Sequence, residues 1–265
     1  MSDWLAQLQG KTLVIKFGGN AMVDSELVSS FAEDVAELSK ASVRVVVVHG
    51  GGPQISKALE VAGIANEFID GFRVTTKEAT EVIKDVLLSE ISLPLSNLVT
   101  ESGVQSVVLD SSVLQAEITK PELGFVGELV SISVVDFERV LSEGKVPVLG
   151  TIARDSNGDL VNVNADLAAA SVASSLSAAA LLVLTDVEGL YLNWPDKSSL
   201  VREISAQELE ALLPTLESGM IPKMQGCLSA VTSGVGYAQI IDGSQIHAIR
   251  NLVSSSVPVG TRVKK

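Results

Sequence analysis

Cysteine occurs once in the 265 residues, at Cys227, and histidine twice, at His49 and His247. A single thiol builds no disulfide frame, and one thiol with two imidazoles is too few for a zinc cluster, so no metal site is expected. Basic residues are scarce: 19 Lys and Arg face 32 Asp and Glu, a formal net charge of -13. That balance argues against a nucleic-acid partner, because phosphate backbones attract basic surfaces. A small anion held in a local basic pocket stays open, and the surplus carboxylates read as a solvated surface. Apolar runs fall far short of the ~20 residues that span a bilayer. The start, "MSDWLAQLQGK", lacks the basic region, apolar run and cleavage site of a secretory leader. A soluble cytoplasmic chain without a membrane partner is the expectation.

What the chain does have is aliphatic mass. It is 46% hydrophobic and only 4% aromatic, enough to bury a core in one large α/β domain or two small lobes. "TLVIKF" and "VRVVVVHG" are continuous apolar runs, as in strands buried on both faces. Between them Leu27, Val28, Phe31, Val35 and Leu38 recur at helical spacing behind an N-cap at Asp24 or Ser25. Pro53 suits the first turn of a helix carrying Ile55, Leu59 and Val61. "KEATEVIKDVLLSEISLPLSNLVTESG" reads as one or two helices broken or kinked at Pro94, and "QSVVLDSS" as a strand. "GFVGELVSISV" alternates and is glycine-punctuated, which predicts a hairpin or antiparallel excursion. "VPVLGTI" returns as a buried strand, "NGDLVNVN" as a hairpin arm, and Ala165 to about Ser177 as a helix of alanine and serine. A second series follows: strand "AALLVLTDV", helix "SAQELEALLPTL", a helix from about Ile221, strand "YAQIID", helix "SQIHAIRNL" and strand "VGTRV". Alternation of this kind predicts an α/β fold, a mostly parallel sheet between helix layers. The helix around Ser171 is a natural junction between two lobes.

Parallel sheets take ligands at the carboxyl ends of their strands. Three stretches fall there: Lys16 with Gly18 and Gly19, "HGGGP" with Gly50, Gly51 and Gly52, and "LTDVEGLY" from Leu184 to Tyr191. A fourth, "GMIPKM", puts Lys223 near a helix start. Each has a plain reading when taken alone. Lys16 fits equally a strand-end lysine reaching for water. Three glycines after a strand more often serve a tight turn than an anion. His49 reads as a hydrogen-bonded strand-end residue rather than an acid or base. "TDVEGLY" is a generic turn, and Asp166 in "NVNAD" supplies first-turn charge to its helix. Lys223 is mildly unfavourable at a helix N-terminus, which tips it towards a ligand. Jointly, two lysines, two glycine-rich amide turns and an aspartate match the needs of phosphoryl transfer, where charge on donor and acceptor must be neutralised. Lysines act there as point charges, and amides add donors without net charge. The first turn is not the G-x-x-x-x-G-K-[ST] of a P-loop, and no G-x-G-x-x-G follows the first strand, which removes a Rossmann dehydrogenase.

"LVIKFGG", "VVVHGGGPQI", "GFRVT", "NVNAD", "LTDVEGLY" and "GMIPKM", in this order and spacing, resemble the amino-acid kinase family. Within it they look most like its acetylglutamate kinase branch, with "GFRVT" and "NVNAD" separating that branch from carbamate, aspartate and uridylate kinases. The resemblance runs from about Thr12 to Val263. It implies a three-layer α/β/α sandwich with an open, mainly parallel eight-stranded sheet. It also implies an N-terminal lobe, residues 1–177, for the amino acid and homodimerisation, and a C-terminal lobe, 178–265, for ATP. The implied reaction moves the γ-phosphoryl group of ATP to the γ-carboxylate of N-acetyl-L-glutamate, in arginine biosynthesis. Lys16 and Lys223 would stabilise the phosphoryl group and Asp166 would orient both. Gly18 and Gly19 would contact the ATP phosphates, Gly51 and Gly52 the acceptor's γ-carboxylate end, and Arg73 and Asn162 its α-carboxylate. Asp186, Val187, Glu188, Gly189, Leu190 and Tyr191, with Thr215, Leu216 and Glu217, would line the nucleotide site. Mg²⁺ would arrive with ATP, held chiefly by phosphate oxygens.

Two rival readings share the fold. A kinase of carrier-linked aminoadipate or glutamate would want a basic acceptor rim, whereas "NEFIDGFRVTTKEAT" is mixed in charge. A non-catalytic sensor would be expected to have lost a reactive lysine, and both are present. Arginine-inhibited members of the family carry a longer N-terminal helix that interlaces dimers into hexamers. Here about a dozen residues precede the first strand, with Trp4, Leu5 and Leu8 on one helix face that docks on a neighbour or folds back. "NLVSSSVPVGTRV" keeps a glycine-threonine turn without a clear acidic residue before it. A homodimer without strong arginine inhibition is the expectation.

Overall fold

Leu13, Ile15 and Phe17 join one of two large apolar clusters, while Val14, between them, joins the other. The next strand divides in the same way, Val45 and Val47 from Val46 and Val48. Successive strand side chains point to opposite faces, so the sheet is buried on both sides and the helices form two outer layers. The computed structural model describes residues 3–69 and 71–265; Asp70, within the mixed-charge stretch named above, lies outside them.

Eight strands form the main sheet: β1 (Thr12–Phe17), β2 (Arg44–His49), β3 (Ser106–Leu109), β4 (Val146–Gly150), β5 (Ala180–Thr185), β6 (Glu203–Ser205), β7 (Tyr237–Asp242) and β8 (Thr261–Lys264). Their order is β6-β8-β7-β5-β1-β2-β4-β3. Neighbours run parallel except β7 and β8, which pair antiparallel through Ala238 and Val263, so β8 and its parallel partner β6 oppose the rest. The eight-stranded, mainly parallel sandwich is thus as expected, with a reversed pair at one edge.

Helix Ser25–Lys40 follows β1 and buries Phe31, Val35 and Leu38 in one cluster. Helix Ile221–Thr232 buries Met224, Cys227 and Val231 in the other. The helix that follows β1 and the helix that leads into β7 therefore lie on opposite faces of the sheet. In open α/β sheets ligands bind at the carboxyl ends of the strands where the connections diverge. Asp24 caps the first of these helices, accepting from the amides of Glu26 and Leu27.

Elsewhere the expectations need amendment. The glycine-punctuated stretch is more than a hairpin: Val126–Ile132 pairs antiparallel with Leu114–Glu117 and parallel with Leu160–Val163, and with Ile152–Arg154 these strands close a small barrel. The segment with Pro94 is helical throughout, α at Lys77–Asp85, π at Val86–Ser92 and α again at Leu93–Glu101. The wide turn lies directly ahead of Pro94, which has no N–H to give and whose ring crowds the carbonyl of Glu90. The helix expected over "SQIHAIRNL" starts only at Ala248. Helix Asp3–Leu8 folds back on its own chain, with Leu8 buried and Trp4 and Leu5 packed against the core.

Candidate active site

β1 ends under Lys16, whose side chain shares the sheet face of Val14 and is 5% exposed. An ammonium so placed needs an anion. Asp166 provides it from the first turn of helix Ala165–Ser175: Lys16 Nζ lies 3.0 Å from Asp166 Oδ1. Asn164 caps that helix, taking the amides of Asp166 (2.9 Å) and Leu167 (3.2 Å) on its side-chain oxygen. From the facing helix, Lys223 donates to the other carboxylate oxygen, Asp166 Oδ2, at 3.1 Å. Burial alone would raise the Asp166 pKa, but the two ammonium groups outweigh it and hold the carboxyl below its ordinary value. Burial pulls Lys16 the other way, below the ordinary lysine value, with Asp166 only partly offsetting it and Lys223 adding to the lowering. The cluster carries one surplus positive charge, which suits an anionic ligand.

The glycines are where the chain crowds this cluster. A Cβ on Gly18 would fall 2.6 Å from Lys16 Nζ. Gly19 has φ 79°, the left-handed region, and a Cβ there would meet the Asp186 carboxylate at 2.5 Å. Asp186, at the end of β5, accepts from Asn20 N (3.0 Å) and Asn20 Nδ2 (3.1 Å). It thereby ties the β5 loop to the β1 loop.

The second glycine turn reaches the same centre from β2, since a Cβ on Gly50 would touch Ala165, the neighbour of Asp166, at 3.3 Å. His49 is fully buried and pinned at both nitrogens, Nδ1 to Gly50 O (2.8 Å) and Nε2 to Ser92 Oγ (2.6 Å). A carbonyl only accepts, so Nδ1 carries the proton and Nε2 takes the Ser92 hydroxyl. Burial holds this imidazole's pKa down at about 4. His49 is structural, as its plain reading had it. Gly51 precedes helix Gly52–Ala62 and faces Leu87 and Ile91 of the π segment.

Arg73 reaches this turn directly and Asn162 through Thr75. Arg73, 8% exposed, donates Nη2 to Gly52 O and Ser56 Oγ, both 3.2 Å, and Nη1 to Asn66 Oδ1. Thr75 Oγ1 donates to Arg73 O at 3.0 Å and accepts from Asn162 Nδ2 at 3.2 Å. Burial lowers the Arg73 pKa, leaving a desolvated guanidinium beside a turn that projects backbone amides.

On the β5 side, Val187, Leu190, Tyr191, Thr215, Leu216 and Glu217 line one cavity of about 430 Å³. Of the other residues expected at the nucleotide, Asp186 braces the Asn20 loop, Glu188 Oε2 accepts from Tyr191 Oη at 2.8 Å, and Gly189 lies against Thr261. The Thr261 hydroxyl accepts from Leu190 N (2.8 Å) and donates to Val201 O, fixing the hairpin that bounds the cavity. Residues that the sequence reading does not mark are Asn20, Ser56, Asn66, Thr75 and Trp194. Asn20 stands one place after Gly19, and Thr75 lies within "GFRVT", so adjacency to a motif was the available signal.

The chain thus presents an open, mainly parallel α/β sandwich with paired lysines braced on one aspartate beside two glycine turns. The profile described as the Amino acid kinase family matches residues 11–242, and this chain belongs to that family. It is 46% identical over 271 residues to the acetylglutamate kinase of Streptomyces avermitilis, covering 98% of this chain and 89% of that relative. With the acetylglutamate kinase of Bifidobacterium animalis subsp. lactis it shares 44% over 273 residues, 98% of this chain and 90% of the other. Among solved structures, the N-acetylglutamate synthase of Neisseria gonorrhoeae complexed with coenzyme A and N-acetyl-glutamate superposes with a TM-score of 0.87 at 22% identity. That match covers 99% of this chain and 61% of the synthase chain. Carbamate kinase from Giardia lamblia bound to AMP-PNP gives 0.69 at 22%, over 97% and 99%. The chain is an acetylglutamate-kinase-like member of the family; the structural likenesses speak for the fold.

Proposed function

We propose that this chain is an ATP:N-acetyl-L-glutamate 5-phosphotransferase, making N-acetyl-L-glutamyl 5-phosphate for arginine biosynthesis. The observation that carries this reading is the bridging of Lys16 and Lys223 by the single carboxylate of Asp166. An acceptor carboxylate oxygen attacks the γ-phosphorus, the bond to the β,γ-bridging oxygen breaks, and ADP leaves. The acceptor is ionised at neutral pH, so no general base is required, and the neutral, fully bonded His49 is consistent with that. Charge spreads over the phosphoryl oxygens in the transition state, where fixed cations stabilise it without reorganising. In this reading Lys16 and Lys223 supply those cations and Asp166 holds them at fixed spacing. The amides of Gly18 and Gly19 face the nucleotide phosphates, and those of Gly51 and Gly52 the acceptor's reacting end.

Arg73 and Asn162 take the α-carboxylate, with Arg73 braced by Ser56 and Asn66. The cavity beside Tyr191 and Glu217 takes the nucleoside, together with Asp186 to Gly189. Mg²⁺ rides on the triphosphate; Asp166, already shared between two ammonium groups, has little left to offer a cation. Residues 1–177 then form the acceptor lobe and 178–265 the nucleotide lobe of a cytoplasmic homodimer, for which sedimentation with and without arginine is the check. Incubation with ATP, Mg²⁺ and N-acetyl-L-glutamate, trapping the acyl phosphate with hydroxylamine, tests the reaction. Hydroxamate is expected, and its absence at saturating substrate overturns the assignment.

A further inference from the structure

Trp194 is a large indole, 52% exposed, on the rim of the cavity that also holds Tyr191. The two rings meet edge to face, centroids 5.1 Å apart at 65°. Tyr191 is anchored through its hydroxyl to Glu188. The loop bearing Trp194 is closed internally: Leu192 N bonds Ser199 O at 3.1 Å, Asn193 N bonds Ser199 Oγ at 3.1 Å, and Asp196 takes Ser198 N at 2.9 Å. The indole is therefore presented on a built turn.

The rest of the lining decides what it faces. Val187, Leu190, Leu212, Leu216 and Met220 supply apolar walls, and among the described residues the sole charged side chain there is Glu217. Among the described residues no lysine or arginine lines this space, so it disfavours a triphosphate, whose charge belongs at Lys16 and Lys223. A volume of about 430 Å³ suits a flat heterocycle with its sugar. Every nucleobase has a π-face, and aromatic side chains bind it by stacking.

We infer that Trp194 is the stacking surface for the base of the bound nucleotide, with Tyr191 holding the indole at its angle. This rests on the phosphotransfer reading above and adds to it a residue that sets nucleotide affinity without touching the reacting atoms. Trp4 and Trp194 are the chain's two tryptophans, so Trp4→Phe leaves a single reporter at the site.

Calorimetry of ATP·Mg²⁺ binding is compared for the parent, Trp194→Phe and Trp194→Ala, with melting temperature and the KM for N-acetyl-L-glutamate as checks of integrity. The alanine variant is expected to raise the ATP Kd at least five-fold, the phenylalanine variant to recover most of it, and the acceptor KM to hold within two-fold. In the Trp4→Phe protein, ATP should quench the indole fluorescence, whereas inorganic tripolyphosphate at the same concentration should not. An ATP Kd in Trp194→Ala within two-fold of the parent overturns the inference, as does equal quenching by tripolyphosphate. Should the alanine variant fail to fold, the fluorescence comparison decides. A parent protein that binds no ATP overturns the phosphotransfer reading as well, so the two failures are distinguishable.

Discussion

A Cβ on Gly226 would fall 2.8 Å from the carbonyl oxygen of Asp166. The obstruction is backbone, so neither helix can yield by rotating a side chain. Gly226 thus lets helix Ile221–Thr232 lie close enough to helix Ala165–Ser175 for Lys223, one turn earlier, to reach the Asp166 carboxylate. Gly226→Ala should cost about 1–3 kcal/mol by overpacking and pull Lys223 away from Asp166. A lower melting temperature together with a reduced kcat is expected. If both match the parent, the helices are not in the contact described.

Removing the Lys223 ammonium should act on turnover more than on binding. For a group stabilising transition-state charge, losses of ~10²–10³-fold in kcat are typical, and Lys223→Ala is expected in that range with nucleotide affinity largely kept. Steady-state kinetics beside equilibrium ATP binding separates the two. A near-normal kcat would remove Lys223 from the chemistry.

The buried imidazole of His49 makes a pH prediction with a definite sign. Burial, opposed only in part by the Gly50 carbonyl, sets its folded pKa at about 4 against an ordinary 6.5. Between those values the unfolded chain binds a proton that the folded chain refuses, so stability falls as pH drops through the window. The loss between pH 7 and pH 4.5 is about 2 kcal/mol from this group. Urea unfolding at the two pH values should show a drop smaller by that amount in His49→Gln. An equal drop in both proteins would assign the acid sensitivity wholly to other groups.

Cys227 lies in the core with no exposed surface. Burial, and then the nearby Asp166 charge, push its thiol far above the ordinary value. Because the thiolate is the reactive form, a disulfide reagent at pH 8 should titrate no thiol in the folded protein and one in denaturant. Prompt labelling of the native state would contradict this packing.

The parts of the site readable in advance are those whose chemistry is local. A lysine at the end of a buried strand, glycines directly behind it and an aspartate in the first turn of a helix each leave a mark within a few residues. Buried parallel strands likewise announce themselves as unbroken aliphatic runs. What escaped notice depends on partners far away in the chain. The helix expected from Ser244 begins at Ala248 because Asp34, on another helix, takes the amides of Ile249 (3.0 Å) and Arg250 (3.1 Å) and the His247 ring nitrogen (2.8 Å). Nothing near Ala248 marks that start. Closure of the barrel rests on pairing Val126 with Asn162, and the direction of β8 on pairing Val263 with Ala238; neither pairing is written in the alternation of a single strand. Trp194 leaves no mark in the sequence, because a lone aromatic in a polar loop has no period to betray it.

The placement of β8 between β6 and β7 has a consequence for biosynthesis. β6 leaves the ribosome well before β8, yet within the sheet it is joined to the rest only through Thr261–Lys264. Until that segment emerges, the hydroxyl that pins Leu190 and Val201 is missing too. A nascent polypeptide halted short of Thr261 would carry both glycine turns and both lysines, but the hairpin wall of the cavity beside Tyr191 would still be unfastened.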